Sequence, residues 1–151
     1  HQCLMVQDDS KECLAFYDNV LGMVRLNEAT SPYNSGVGPN QIFDLAEGEA
    51  FHVADFDDPR STNAPSERRS GRLKIIRIEE GQPAKDWRDI SRPGHLGATG
   101  YSIRVNDISA MREKIQGSGA TAVTDAVSDE FGCRSFSFNA PDGNFWTAIE
   151  A

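Results

Sequence analysis

Ser10-Lys11-Glu12-Cys13-Leu14-Ala15-Phe16-Tyr17-Asp18-Asn19-Val20-Leu21-Gly22 reads as one capped and stopped helix. Ser10 suits an N-cap, Cys13, Phe16, Tyr17, Val20 and Leu21 recur at helical spacing, and Gly22 ends the run. Before it stand the short apolar run of residues 2–7, suited to a strand, and the acidic pair Asp8-Asp9; after it, residues 23–29 read as a second strand. The same order returns later in the chain. Gly100 to Val105 leads into Asn106-Asp107, then a helical stretch from Ile108 to Gly117-Ser118-Gly119, then Ala120 to Val123. Each copy is a short strand, an acidic turn, one helix stopped by glycine, and further strands. An internal repeat fixes the architecture before any single residue is interpreted.

Working outward, alternation predicts strands at 50–56 and 72–78, and in the second copy near 121–127, 133–139 and 144–150, with Asp142-Gly143 as a turn. Residues 38–45 are ambiguous, with proline in the first turn favouring a short helix. Asp57 to Gly71, rich in Pro, Ser, Asn and Arg, reads as a surface loop. The expected organisation is a first module over 1–79, a linker over 80–99 and a second module over 100–151, forming one structural domain.

With 151 residues, the chain is long enough for a real core, and 38% hydrophobic and 25% charged residues are ordinary for a globular protein. A net charge of −8 disfavours nucleic acid and a polybasic membrane contact, and suits a cationic guest. Three cysteines (Cys3, Cys13, Cys133) without a CxxC spacing give neither a disulfide framework nor a zinc site. No apolar run reaches the length of a membrane helix, so a cytoplasmic protein is expected. The opening on His1, inside a strand pattern, points to a processed, tagged or trimmed start.

Phe16-Tyr17-Asp18-Asn19-Val20-Leu21-Gly22 resembles the "FY-x-x-V-L-G" helix end of the vicinal oxygen chelate superfamily, the glyoxalase, bleomycin-resistance and extradiol dioxygenase group. Ala140-Pro141-Asp142-Gly143-Asn144-Phe145 is similar to its closing "DPDGN" turn and final strand. The resemblance spans nearly the whole chain. It implies an α+β fold of two βαβββ modules, each a curved mixed sheet with a covering helix, together enclosing a cavity. Phe16, Val20 and Leu21 would then pack, and Gly22 and Gly119 would act as left-handed helix stops.

The resemblance also says where a metal would sit: on the first and last strands of both modules, facing the cavity. Counting seven residues back from the turn aspartates gives His1 (or Gln2) in the first module and Gly100 in the second. Counting five forward from Asp142 puts Thr147 where the family has a glutamate; the first-module equivalent falls at about Ile75, give or take one. His1 is the weak remaining metal candidate, and other ligands would have to come from elsewhere, such as His52 or His95. Glu150 falls on the opposite strand face from Thr147. The pattern predicts a degenerate metal site with no cofactor, a divalent metal being the alternative.

Strand parity predicts the lining of the cavity. Cys3 and Met5 share a face with His1, Ser102 and Arg104 share one with Gly100, and Phe145 and Ile149 share one with Thr147. His52 is counted with this lining, and also reads as a half-buried strand residue. Arg104 suits clamping a carboxylate or phosphate through paired donors, and equally suits a solvated place at the rim. Trp87 and Tyr33, in loop-like stretches, could cap a ligand or simply pack. The expected function is that of a glyoxalase/bleomycin-resistance-like protein binding a small organic molecule. The alternative is a divalent-metal-dependent lyase, isomerase or dioxygenase of the same superfamily with non-standard ligands. An accessory module with a vestigial cavity is a third reading. Pairing as a homodimer and a closed single-chain arrangement both remain open.

Overall fold

A computed structural model describes residues 2–6, 10–32, 46–61, 72–80, 93–96 and 100–151. The chain divides into two compact units, His1–Lys85 and Asp86–Ala151.

The first unit contains β1 (Gln2–Met5), α1 (Lys11–Ala15) running directly into a π-helical turn (Phe16–Val20), β2 (Val24–Pro32), β3 (Ala50–Asp57) and β4 (Leu73–Glu80). Its sheet has the order β1-β4-β3-β2, with β1 parallel to β4 and the other pairs antiparallel. The parallel pair needs a long crossover, which the helix and two strands supply. Leu4 is in register with Ile75 and Ile75 with Ala54, and all three are buried in one row. Phe56, on the same face, meets the Tyr17 ring at 5.5 Å, so the helical segment covers this side.

Local chemistry explains the helix. Ser10 caps it, its Oγ accepting from the Cys13 N–H at 3.3 Å. Beyond Ala15 the expected α-helix widens, and the Leu21 N–H reaches back to the Phe16 carbonyl at 2.9 Å. Gly22, at φ 76°, then turns the chain into β2. Arg25 ties this segment to the sheet. It donates to Asp18 Oδ2 from Nε and Nη2 at 3.0 and 2.7 Å and to Glu28 at 2.6 Å, and its guanidinium lies 5.3 Å from the Phe56 ring centre. Burial works against the Arg25 charge, but its hydrogen bonds to Glu28 and Asp18 outweigh it and hold its pKa above the ordinary value.

The second unit contains β5 (Tyr101–Val105), α2 (Ile108–Gln116), β6 (Val127–Ser128), β7 (Arg134–Asn139) and β8 (Phe145–Glu150), and its sheet order β5-β8-β7-β6 repeats the first. α2 packs on β7 and β8, where Ile108 and Ile115 are buried together with Phe136, Phe138, Trp146 and Ala148. Asp107 caps it, accepting from the Ser109 and Ala110 N–H groups at 3.0 and 2.9 Å. Gly119 has φ 79°, as a left-handed stop requires. Each unit is thus a βαβββ module with a mixed sheet, and the fold is α+β.

Residues 121–127 correct the sequence expectation. Instead of a strand there is an isolated bridge between Thr121 and Asn139, then an irregular path to the two-residue β6. Ala122 takes φ 51°, which breaks the pleat, and the Thr124 hydroxyl accepts from the Ser137 N–H at 2.9 Å in place of a ladder carbonyl. Residues 38–45, most of the loop 57–71, most of the linker 80–99, and His1, Tyr33 and Trp87 lie outside the described residues.

Candidate functional site

The second sheet has two chemically different faces. Phe136, Phe138, Trp146 and Ala148 lie on the α2 side. Alternation sends Ser102 and Arg104 of β5, Ser135 and Ser137 of β7, and Phe145, Thr147 and Ile149 of β8 to the other side. Register arranges them in cross-strand rows: Arg104, Ile149 and Ser135 in one, Ser102, Thr147 and Ser137 in the next, then Phe145 and Asn139. Ser102 and Arg104 are exposed, while Ser137, Phe145, Thr147 and Ile149 are half-buried.

Within the central row, Ser137 Oγ and Thr147 Oγ1 are hydrogen-bonded at 3.1 Å. Arg104 has no hydrogen-bond or ion-pair partner among the described residues. The other members of its cross-strand row, Ile149 beside it and Ser135 one strand further, carry no charge. The nearest carboxylate along β8, Glu150, belongs to the α2 side. There it accepts from the Ile108 N–H at 3.2 Å and lies 3.6 Å from Arg134, as strand parity predicts.

Five residues expected to line one surface, Ser102, Arg104, Phe145, Thr147 and Ile149, therefore share a face. Cys3 and Met5 belong to the other unit, in register with Lys74 and Ile76. His52 does not join that row. It pairs in register with Thr30 and Arg77, shares the face of Ala54 and Phe56, and its Nε2 lies 3.4 Å from Glu28 Oε1. Phe51, Val53 and Ile76 instead form a buried apolar cluster with Ile78 packed against it. Ser135 and Ser137 are not singled out by sequence reasoning, although the alternation Ser135-Phe136-Ser137-Phe138 carries their signal.

The metal implied by the resemblance does not fit the donors described. Gly100 offers no side chain, and a Cβ there would stand 3.1 Å from Phe145 Cδ1. Thr147 offers a neutral hydroxyl already bonded to Ser137. Ile75 is fully buried in the Leu4 row, and its neighbours on the other face are Lys74 and Ile76. His95 is exposed. Among the described residues no three His, Cys, Asp or Glu side chains are grouped as metal ligands would be.

The first sheet carries a separate charged cluster. Lys74 Nζ donates to Asp55 Oδ1 at 2.7 Å. Asp57, fully buried, has Oδ2 3.6 Å from Arg72 Nε, and neither atom is hydrogen-bonded. Its other oxygen accepts from the Asp58 N–H at 2.8 Å. These charges are matched in pairs.

Two βαβββ modules in one chain, with sheets of identical strand order, define the class of paired-module α+β proteins. The sequence matches the family model of the Glyoxalase/Bleomycin resistance protein/Dioxygenase superfamily over residues 1–147, and the chain belongs to that superfamily. A glyoxalase family protein from Bacillus cereus is similar in structure, with 17% identity, a TM-score of 0.78, and coverage of 99% of this chain and 91% of that one. TnmS3, an antibiotic binding protein from a Streptomyces species, has 18% identity and a TM-score of 0.52, with 99% and 93% of the two chains covered. The fosfomycin resistance protein FosX from Listeria monocytogenes has 14% identity and a TM-score of 0.55, with 100% and 90% covered. At such identities the likeness concerns the fold. Comparison with curated proteins finds no match. Among the described residues no helix is long and apolar enough to cross a membrane.

Proposed function

We propose that the protein binds a small organic molecule on the face of the second sheet that α2 leaves uncovered, without a resident divalent metal. The observation that carries this reading is the hydroxyl pair that Thr147 forms with Ser137, where the family pattern calls for a charged ligand at Thr147, together with the missing side chain at Gly100. Hydroxyls, a half-buried aromatic ring and an arginine without a partner among the described residues are groups that orient an organic ligand. They are poor donors for a hard cation. The antibiotic binding protein and the fosfomycin resistance protein with the same fold lend support by analogy to the small-molecule part of this reading alone.

The test combines metal analysis of untagged protein with a fragment screen followed by amide shifts in two-dimensional NMR. The expected result is less than stoichiometric metal, with saturable shifts at Ser102, Ser137 and Thr147. Stoichiometric iron, manganese, zinc or nickel, with an activity lost on chelation, would overturn the metal-free reading in favour of a metalloenzyme with non-standard ligands. Shifts confined to other residues would remove this face as the site.

A further inference from the structure

We infer that the ligand of this face is an elongated organic anion, with a carboxylate or phosphate at one end and an aromatic or apolar group at the other; this rests on the binding-face reading above. The chemistry of the face is ordered along the strands. Arg104 and Ile149 form one row, Ser102, Thr147 and Ser137 the next, and Phe145 the row after that. Phe145 lies four residues along β8 from Ile149, the register partner of Arg104. At the usual rise per residue that separates the cationic and aromatic ends by about 13 Å, less the reach of the arginine side chain.

The net charge of −8 favours cations at long range. Local pairing opposes that on this face. Arg104 is the one charged residue named in these rows, and it has no counter-ion among the described residues, because Glu150 is turned to the α2 side by strand parity and held there by Ile108 and Arg134. A guanidinium without a partner presents paired donors to a carboxylate or phosphate, and screening by salt weakens the more distant acidic groups first. Between the two ends the Ser137–Thr147 pair keeps one hydroxyl proton and spare lone pairs for a polar group of the ligand.

Three matched probes test the inference on the full chain by titration calorimetry: 6-phenylhexanoate, 6-phenylhexan-1-ol and 6-phenylhexylamine. Phenylacetate serves as the short anion. The long acid should bind at least about tenfold more tightly than the alcohol, the amine or phenylacetate, the range set by hydrogen bonds to a charged group. Arg104→Gln should weaken the acid by about tenfold or more and the alcohol several-fold less, so that the advantage of the acid is lost, and Arg104→Lys should restore part of it. Arg104 is exposed, so an unchanged thermal midpoint in both variants is the control for folding. If the amine or alcohol binds as well as the acid, or Arg104→Gln has no effect on the acid, the anionic class is overturned. The binding face survives that outcome if Thr147→Val still weakens whichever probe binds. If no probe binds saturably and none shifts the Thr147 amide, the inference and the binding-face reading fall together.

Discussion

The Phe145 ring occupies the space that a side chain at Gly100 would need, with Cδ1 only 3.1 Å from where a Cβ would lie. A side chain at the first-strand position that the family pattern assigns to a metal ligand would therefore press on a ring of the last strand, which would have to give by a few tenths of an ångström. Gly100 is exposed and Phe145 half-buried, so Gly100→His should cost about 1 kcal/mol or less, through crowding of the ring. It should not recruit a metal. In a Phe145→Ala background the same change should cost less than it does beside the intact ring. Urea unfolding of the single and double variants is the measurement, and a Gly100→His protein as stable as its parent would show that the ring is not held there.

The hydroxyl pair of Ser137 and Thr147 should be energetically coupled. Each single change, Ser137→Ala and Thr147→Val, should cost about 1 kcal/mol or less, since both side chains are only half-buried. The double variant should cost less than the sum, with a coupling of about 0.5 kcal/mol. A double-mutant cycle by denaturant unfolding measures this, and strict additivity would mean that the bond is not made in solution.

Asp57 and Arg72 form a buried ion pair without a hydrogen bond between the two close atoms. Arg72→Met leaves a carboxylate buried and uncompensated, and should cost about 3 kcal/mol. Asp57→Asn combined with Arg72→Met removes both charges while keeping an acceptor for the Asp58 N–H, and should recover most of that cost. Thermal and chemical unfolding compare the two; equal stability of the single and double variants would count against an uncompensated charge as the cause.

Ala122 is the one non-glycine residue with positive φ among those described. Left-handed backbone strains an alanine through its Cβ, and glycine relieves that strain while losing more entropy on folding. Ala122→Gly should therefore raise stability, by about 0.5–1 kcal/mol. A lower unfolding midpoint in the variant would indicate that the segment leaves this conformation in solution.

The repeated plan of the modules was legible because its signals are local. Ser10 caps and Gly22 stops the first helix, and both act within a few residues of themselves. The same locality explains the misses. Residues 121–127 have the composition of a strand, yet the left-handed Ala122 and the Thr124 hydroxyl divert the backbone, and neither shows in alternation. Nor does the π-helical turn at Phe16–Val20, whose residues carry ordinary helical spacing while Tyr17 packs on Phe56, far away in sequence.

The candidate site divides along the same line. Period-two alternation within one strand was enough to put Ser102 with Arg104, and Thr147 with Phe145 and Ile149, because successive side chains must take opposite faces. Which strands lie side by side is a long-range matter. Only the pairing of β8 with both β5 and β7 brought Ser137 to Thr147, set Ile149 beside Arg104 and laid the Phe145 ring against Gly100. Pairing also put His52 beside Glu28 and opposite Arg77, on the face where Tyr17 packs. The order of elements and the two-faced character of each strand follow from local sequence alone. Tertiary structure decided which side chains meet, because register is set by turns, bulges and packing between segments distant in the chain.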